Sequence, residues 1–73
     1  MFVLTVDDSD INLAVYRGAL SRISGVEVTG YSSPTAALSW ANENPVDVAV
    51  VDYHMPELDG LSFIERFRSI PNA

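Results

Sequence analysis

Three aspartates stand where acidic chemistry could be carried out. Asp7 and Asp8 follow the apolar run Phe2–Val6, and Asp52 follows the run Val48–Val51. Each run reads as a short strand, and in an open parallel sheet functional groups gather at the carboxyl ends of the strands. If the two strands are neighbours, three carboxylates converge. Two unit charges about 4 Å apart repel by about 4 kcal/mol at an effective dielectric of about 20, so such a cluster must protonate or recruit a cation. All-oxygen ligation, with no cysteine and a lone histidine, favours a hard ion that keeps some of its waters, Mg2+ before Zn2+. A divalent ion beside a carboxylate neutralises charge on the equatorial oxygens during phosphoryl transfer. One carboxylate could then be the nucleophile and form an acyl phosphate.

Plainer readings compete at each position. An Asp-Asp pair after a strand is a common turn and helix-cap motif, and taken singly that reading is preferred. Asp52 follows four apolar residues, and alone its structural and functional readings balance. Acid clusters at the ends of two separate strands tip the choice toward function. His54 has no second histidine and no paired serine, so a catalytic triad or zinc site is disfavoured and it reads as a solvent-facing loop residue. The run from Met55 to Gly60 is by itself a turn with a helix cap. Phe63 and Phe67 read as core, whereas Tyr31 and Trp40 are compatible with either half-buried or surface positions.

The elements that must position these groups alternate along the chain. After the first strand, Ile11, Ala14, Val15, Gly18, Ala19, Arg22 and Ile23 recur at three- and four-residue spacing, a helical stripe. Ser9 or Asp10 can cap its start, and Gly25 suits its end. Val26–Tyr31, β-branched and flanked by glycines, predicts a second strand. Ser33-Pro34 opens a second helix, with serine at the cap and proline at the first helical position; Ala37, Leu38 and Ala41 mark its face and Asn44-Pro45 closes it. Asp47–Tyr53 is the clearest strand. Asp59-Gly60 turns into a third helix with Phe63, Phe67 and Ile70 on one side, and Pro71 terminates it. Strand-helix alternation at this spacing predicts parallel pairing with right-handed crossovers, hence an α/β layer fold whose strand order spacing alone does not fix.

Composition bounds the function. A chain of 73 residues buries only ~60% of its unfolded surface, so one small domain is the ceiling. The formal net charge is -6, and Arg17, Arg22, Arg66 and Arg68 are the only Lys or Arg residues. They read as solvating helix faces and leave no basic patch for a nucleic-acid backbone. No apolar run approaches the ~20 residues that span a bilayer, and Met1–Val6 lacks the positive flank of a signal peptide. The expectation is a soluble, cytoplasmic domain that binds neither nucleic acid nor membrane.

Val6-Asp7-Asp8-Ser9, together with the string Asp52-Tyr53-His54-Met55-Pro56-Glu57-Leu58-Asp59-Gly60, closely resembles the receiver domain of bacterial two-component response regulators, the CheY-like family. The acid pair alone is weak evidence; the D-x-x-M-P-x-x-D-G string with the acid pair upstream is specific. The resemblance covers residues 1–73 in order and at normal spacing, as a partial receiver domain. It implies a doubly wound, flavodoxin-like parallel sheet truncated to βαβαβα, with strand order 2-1-3 and without the family's last two strand-helix units. It implies Asp52 as the phospho-acceptor in a phosphorelay, charged by a histidine kinase, a histidine phosphotransfer protein or a small phosphodonor. It implies Mg2+ held by Asp8 directly, by Asp7 largely through water, by Asp52, and by the backbone carbonyl of His54. Met55-Pro56 and Gly60 would shape the loop into the third helix.

The chain also departs from the family. Receivers carry a switch Ser/Thr at the end of the fourth strand and a phosphate-binding lysine at the end of the fifth. This sequence contains no lysine, so neither can be assigned, and a stabiliser of the developing phosphoryl charge is missing from it. In the family order the third strand becomes an exposed apolar edge, and the face covered by the fifth helix is open, so self-association through that edge, as a homo-oligomer such as a dimer, is expected. The leading expectation is a phospho-acceptor module, not an enzyme in the ordinary sense; the alternative is a switch-incompetent receiver serving as a metal-binding or dimerising module. An aspartyl-phosphate phosphatase would want a second acid two residues after its nucleophile, where Ser9 and His54 stand. A dinucleotide site would want a glycine-rich loop after the first strand.

Overall fold

The structure, a computed structural model, describes residues 1–70. Six elements alternate: β1 (Phe2–Val6), α1 (Asp10–Leu20), β2 (Glu27–Tyr31), α2 (Pro34–Ala41), β3 (Val48–Val51) and α3 (Gly60–Arg68). The three strands form one parallel sheet in the order β2-β1-β3, as the resemblance implied. Because β1 is central, its residues Val3, Leu4, Thr5 and Val6 are all buried.

Strand side chains alternate between the two faces. Leu4 and Val6 point toward α2 and α3 and join Ala37, Ala41, Met55, Phe63 and Ile70 in the core, with Tyr31, Trp40, Val51 and Phe67 packed around it. The aromatic pair left undecided by the sequence is half-buried, with the Tyr31 and Trp40 rings 6.2 Å apart. Phe63 and Phe67, one turn apart on α3, stack at 6.0 Å. Val3 and Thr5 take the opposite face, which α1 covers over β1 and β2.

The helix starts follow from their caps. Ser9 and Ser33 accept from the backbone N–H of Asn12 and Ala36, Pro34 occupies the first turn of α2, and Asp59 accepts from Ser62 N–H at the start of α3. The ends fall earlier than the breakers suggested. Helix α1 stops at Leu20, where Ser21 N–H donates to the Arg17 carbonyl; Gly25, at φ 82°, instead turns the chain into β2. Helix α2 stops at Ala41, and Asn44 donates its side-chain amide to the Trp40 carbonyl rather than continuing the helix. Ser69 caps α3; Pro71, the expected terminator, lies outside the described residues.

The helical stripe requires a correction, since Arg22 and Ile23 lie beyond the end of α1 at Leu20. Ile11, Ala14, Val15, Gly18, Ala19, Arg22 and Ile23 all face outward, with Ile11 77% and Val15 61% exposed. Leu13, Tyr16 and Leu20 are the half-buried positions. The reason lies at the head of the helix, where Asn12 and Tyr16, four residues apart, both reach Asp7 and fix the rotation of the helix. That rotation seats Leu13 over Gly30 of β2, where a Cβ would meet its Cδ2 at 3.6 Å. Helix α1 packs on β1 and β2, and the same side of β3 is left open. Val48 and Val50, in register with Val3 and Thr5, are 43% and 37% exposed. An apolar strand that composition would place inside a sheet stands here at its edge.

Candidate functional site

Register builds the site. Val6 pairs with Val51, and Asp52 N–H donates to the Val6 carbonyl at 2.8 Å, so the residues that follow the two strands emerge side by side. Asp7 is anchored from the other neighbour, its N–H donating to the Tyr31 carbonyl at 3.2 Å. Asp7, Asp8 and Asp52 consequently each bring a carboxylate oxygen to within 4.8 Å of the others. This is the convergence that neighbouring strands required.

The three carboxylates differ in environment. Asp7 is 1% exposed, Asp52 half-buried and Asp8 exposed. Asp7 is held from every side. Its Oδ1 accepts from Ser9 N–H at 2.9 Å, and its Oδ2 accepts from Asn12 Nδ2 at 3.2 Å and from the Tyr16 hydroxyl at 3.1 Å. Burial acts to raise its pKa, but the hydrogen bonds from Ser9, Asn12 and Tyr16 together outweigh it and hold Asp7 below the ordinary carboxylate value. The reciprocal effect raises the Tyr16 phenol, chiefly through its hydrogen bond to Asp7 and then through desolvation and the charges of Asp7 and Asp52.

The loop from Asp52 into α3 is fixed at three points. Met55 is buried in the core, and Gly60 N–H donates to the Tyr53 carbonyl at 2.8 Å. Glu57 Oε1 accepts from the hydroxyls of Ser33 at 2.7 Å and Thr35 at 3.4 Å, which ties the loop to the start of α2. Asp59 sits below its ordinary pKa, principally because Ser62 N–H donates to it. His54 is exposed in this loop, its ring edge-on to Tyr53 at 4.9 Å, and its imidazole is not among the grouped acidic ligands.

The sequence reading singled out the carboxylates and missed the groups that hold them. Asn12 and Tyr16 are polar residues four apart on the helix that begins two residues after the acid pair, and that spacing was the available signal. Glu57 offered none, because its partners Ser33 and Thr35 lie more than twenty residues away.

Chemically, three oxygen-donor carboxylates at one sheet end can hold a hard cation, and the half-buried Asp52 can present an oxygen to an incoming electrophile. Among the described residues no helix is long and apolar enough to cross a membrane.

Comparison with known proteins agrees with this geometry. Residues 3–73 match the response regulator receiver domain family. The transcriptional regulatory protein PrrA of Mycobacterium tuberculosis is 42% identical over 71 residues, which cover 96% of this chain and 30% of that protein. The cyclic di-GMP phosphodiesterase response regulator RpfG of Xanthomonas campestris pv. campestris is 34% identical over 71 residues, 96% of this chain and 19% of its own length. Among solved structures, the N-terminal domain of a response regulator receiver protein from Methanoculleus marisnigri superposes with a TM-score of 0.86 at 30% identity, over 97% of this chain and 57% of that one. Sheet order, acidic cluster and sequence similarity converge, and the chain belongs to the response regulator receiver domain family.

Proposed function

We propose that this chain is the phospho-acceptor portion of a two-component phosphorelay, with Asp52 taking the phosphoryl group and Mg2+ held at the acidic cluster. The observation that carries the reading is the approach of the Asp7, Asp8 and Asp52 carboxylates to within 4.8 Å at the carboxyl end of a parallel sheet. Residues 1–73 act as a partial receiver domain. PrrA and RpfG bear names of different activities and share this segment with the chain, which supports a common receiving role for the segment rather than an output.

The residues fit the cation. All three donors are carboxylate oxygens, and hydrogen bonding keeps Asp7 ionised despite its burial. Asp8 and Asp52 would bind it directly, Asp7 largely through water, and His54 through its backbone carbonyl. When bound, Mg2+ supplies neutralisation of the charge on the phosphoryl oxygens. Asp52 then acts as nucleophile. One carboxylate oxygen bonds to phosphorus while the phosphorus bond to the donor breaks, the electron pair leaving with the donor group. With a phosphohistidine donor the products are an aspartyl phosphate on Asp52 and a free imidazole on the histidine kinase or phosphotransfer protein. The exposure of Asp8 and the partial exposure of Asp52 suit a donor presented by another protein's surface. The chain shares in its own phosphorylation and is not otherwise an enzyme, and the setting is cytoplasmic. Phosphoryl incorporation at Asp52 is the test.

One observation favours a second reading, a metal-binding or dimerising module. Among the described residues strand β3 is an edge of the sheet, with Val48 and Val50 exposed and no proline or lysine within it to guard it. Its unpaired backbone groups call for another strand, and a second copy of β3 supplies one. Sedimentation of the chain tests this reading.

A further inference from the structure

Resting on the reading of the acidic cluster as a cation site, we infer that the Tyr16 phenol sets which divalent ion the site prefers. A carboxylate oxygen has two acceptor sites. Both sites of Asp7 Oδ2 are taken, one by Asn12 Nδ2 at 3.2 Å and one by the Tyr16 hydroxyl at 3.1 Å. Oδ1 already accepts from Ser9 N–H at 2.9 Å. Asp7, at 1% exposure and adjoining Asp8, thus has a single acceptor position left to offer a cation or its water. Asp8 and Asp52 make no such set of hydrogen bonds.

The consequence is a site poor in protein oxygens. Mg2+ binds through one or two carboxylates and keeps several waters, whereas Ca2+ takes six to eight oxygens at longer, flexible distances. By filling the last position on Oδ2, Tyr16 withholds the additional carboxylate oxygen that the larger ion would use. The residue acts through Asp7 and is a positioning residue. Its place on α1, which Asn12 and Tyr16 rotate against the sheet, makes that withholding a fixed property of the fold rather than of a mobile side chain.

The experiment is calorimetric titration of the chain with MgCl2 alone and with CaCl2 alone, for the wild type and Tyr16→Phe, with circular dichroism to verify folding. The phenylalanine keeps the half-buried ring and removes only the hydroxyl. The ratio of Ca2+ to Mg2+ affinity is expected to rise by roughly five- to tenfold, the scale of one recovered oxygen contact. Asn12→Ala, at an exposed helix position, frees the other acceptor site of Oδ2 and is expected to shift the ratio in the same direction, so the inference stays testable if Tyr16→Phe fails to fold. An unchanged ratio, including equal weakening of both ions, makes Tyr16 a packing residue and overturns the inference while leaving the cation site standing. Failure of the wild type to bind either ion overturns the site itself, and the inference with it.

Discussion

Gly60 lies directly against the backbone of Asp52: a Cβ built on it would fall 2.7 Å from the Asp52 carbonyl oxygen and 2.9 Å from the Tyr53 Cα. Both obstacles are main chain, so neither can swing aside. The glycine is required by this approach, not by its backbone angles, since only Gly25 among the described residues has positive φ. Gly60→Ala must push the loop away from the end of β3, the segment that carries Asp52. The substitution is expected to cost about 1–3 kcal/mol by overpacking and to weaken Mg2+ binding in the same protein. Gly18→Ala is the matched control. Nothing lies within 4 Å of its added methyl, and in a helix interior the change is expected to stabilise by about 0.5–1 kcal/mol. Denaturant unfolding of both variants, with Mg2+ titration, checks the pair.

Acid should weaken the stabilisation that Asp7 supplies. Asp7 titrates below its ordinary value of 3.8 when folded, so the unfolded chain binds its proton more tightly. The stabilisation from Asp7 is therefore complete above that ordinary value and is lost as the pH falls through the lower folded one. Denaturation midpoints measured from pH 6 down to 2 are expected to hold steady and then drop below about pH 4. Asp7→Asn, which carries no titrating proton, should flatten part of that drop.

How much of this was legible in the sequence depends on the range of the interaction involved. The caps at Ser9, Ser33 and Asp59 were readable because a side chain and the N–H it accepts lie three residues apart. Asp7, Asp8 and Asp52 were readable as acids at strand ends, and the Met55–Gly60 string with the acid pair tied them to a family. The facing of α1 was not. The helical stripe that includes Ile11 and Val15 carried no signal of which way it faces, and the polar pair Asn12 and Tyr16, anchored on Asp7, turns it outward. The tie between Glu57 and Ser33 was equally hidden, since the fold alone brings the two together.

Phe63 carries a large share of the core. It is fully buried against Leu4, Val6, Ala37 and Ala41 between the sheet and α3. Truncation to alanine typically costs about 3–5 kcal/mol at such a site. Small domains have only about 5–15 kcal/mol in total, and a chain of this size sits at the low end. Phe63→Ala is expected to leave the chain largely unfolded at 25 °C, as read by far-ultraviolet circular dichroism.

Self-association through β3 would bring Asp47 and Asp52, which flank the strand, toward their counterparts on a chain whose net charge is -6. Repulsion between exposed charges is screened by salt. Sedimentation velocity is expected to show association rising with sodium chloride, and Val50→Lys, a charge on the open face of the edge, is expected to abolish it. A monomer at every salt concentration up to high micromolar protein removes the dimerising reading.

The central claim is that Asp52 accepts a phosphoryl group. Intact-mass spectrometry after incubation with a small acyl-phosphate donor and Mg2+, with Asp52→Asn in parallel, tests it most directly. The account predicts a labile gain of one phosphoryl group in the wild type and none in the variant. No gain in the wild type, with Mg2+ still binding by titration, would contradict it and leave a cation-binding receiver that does not take phosphate.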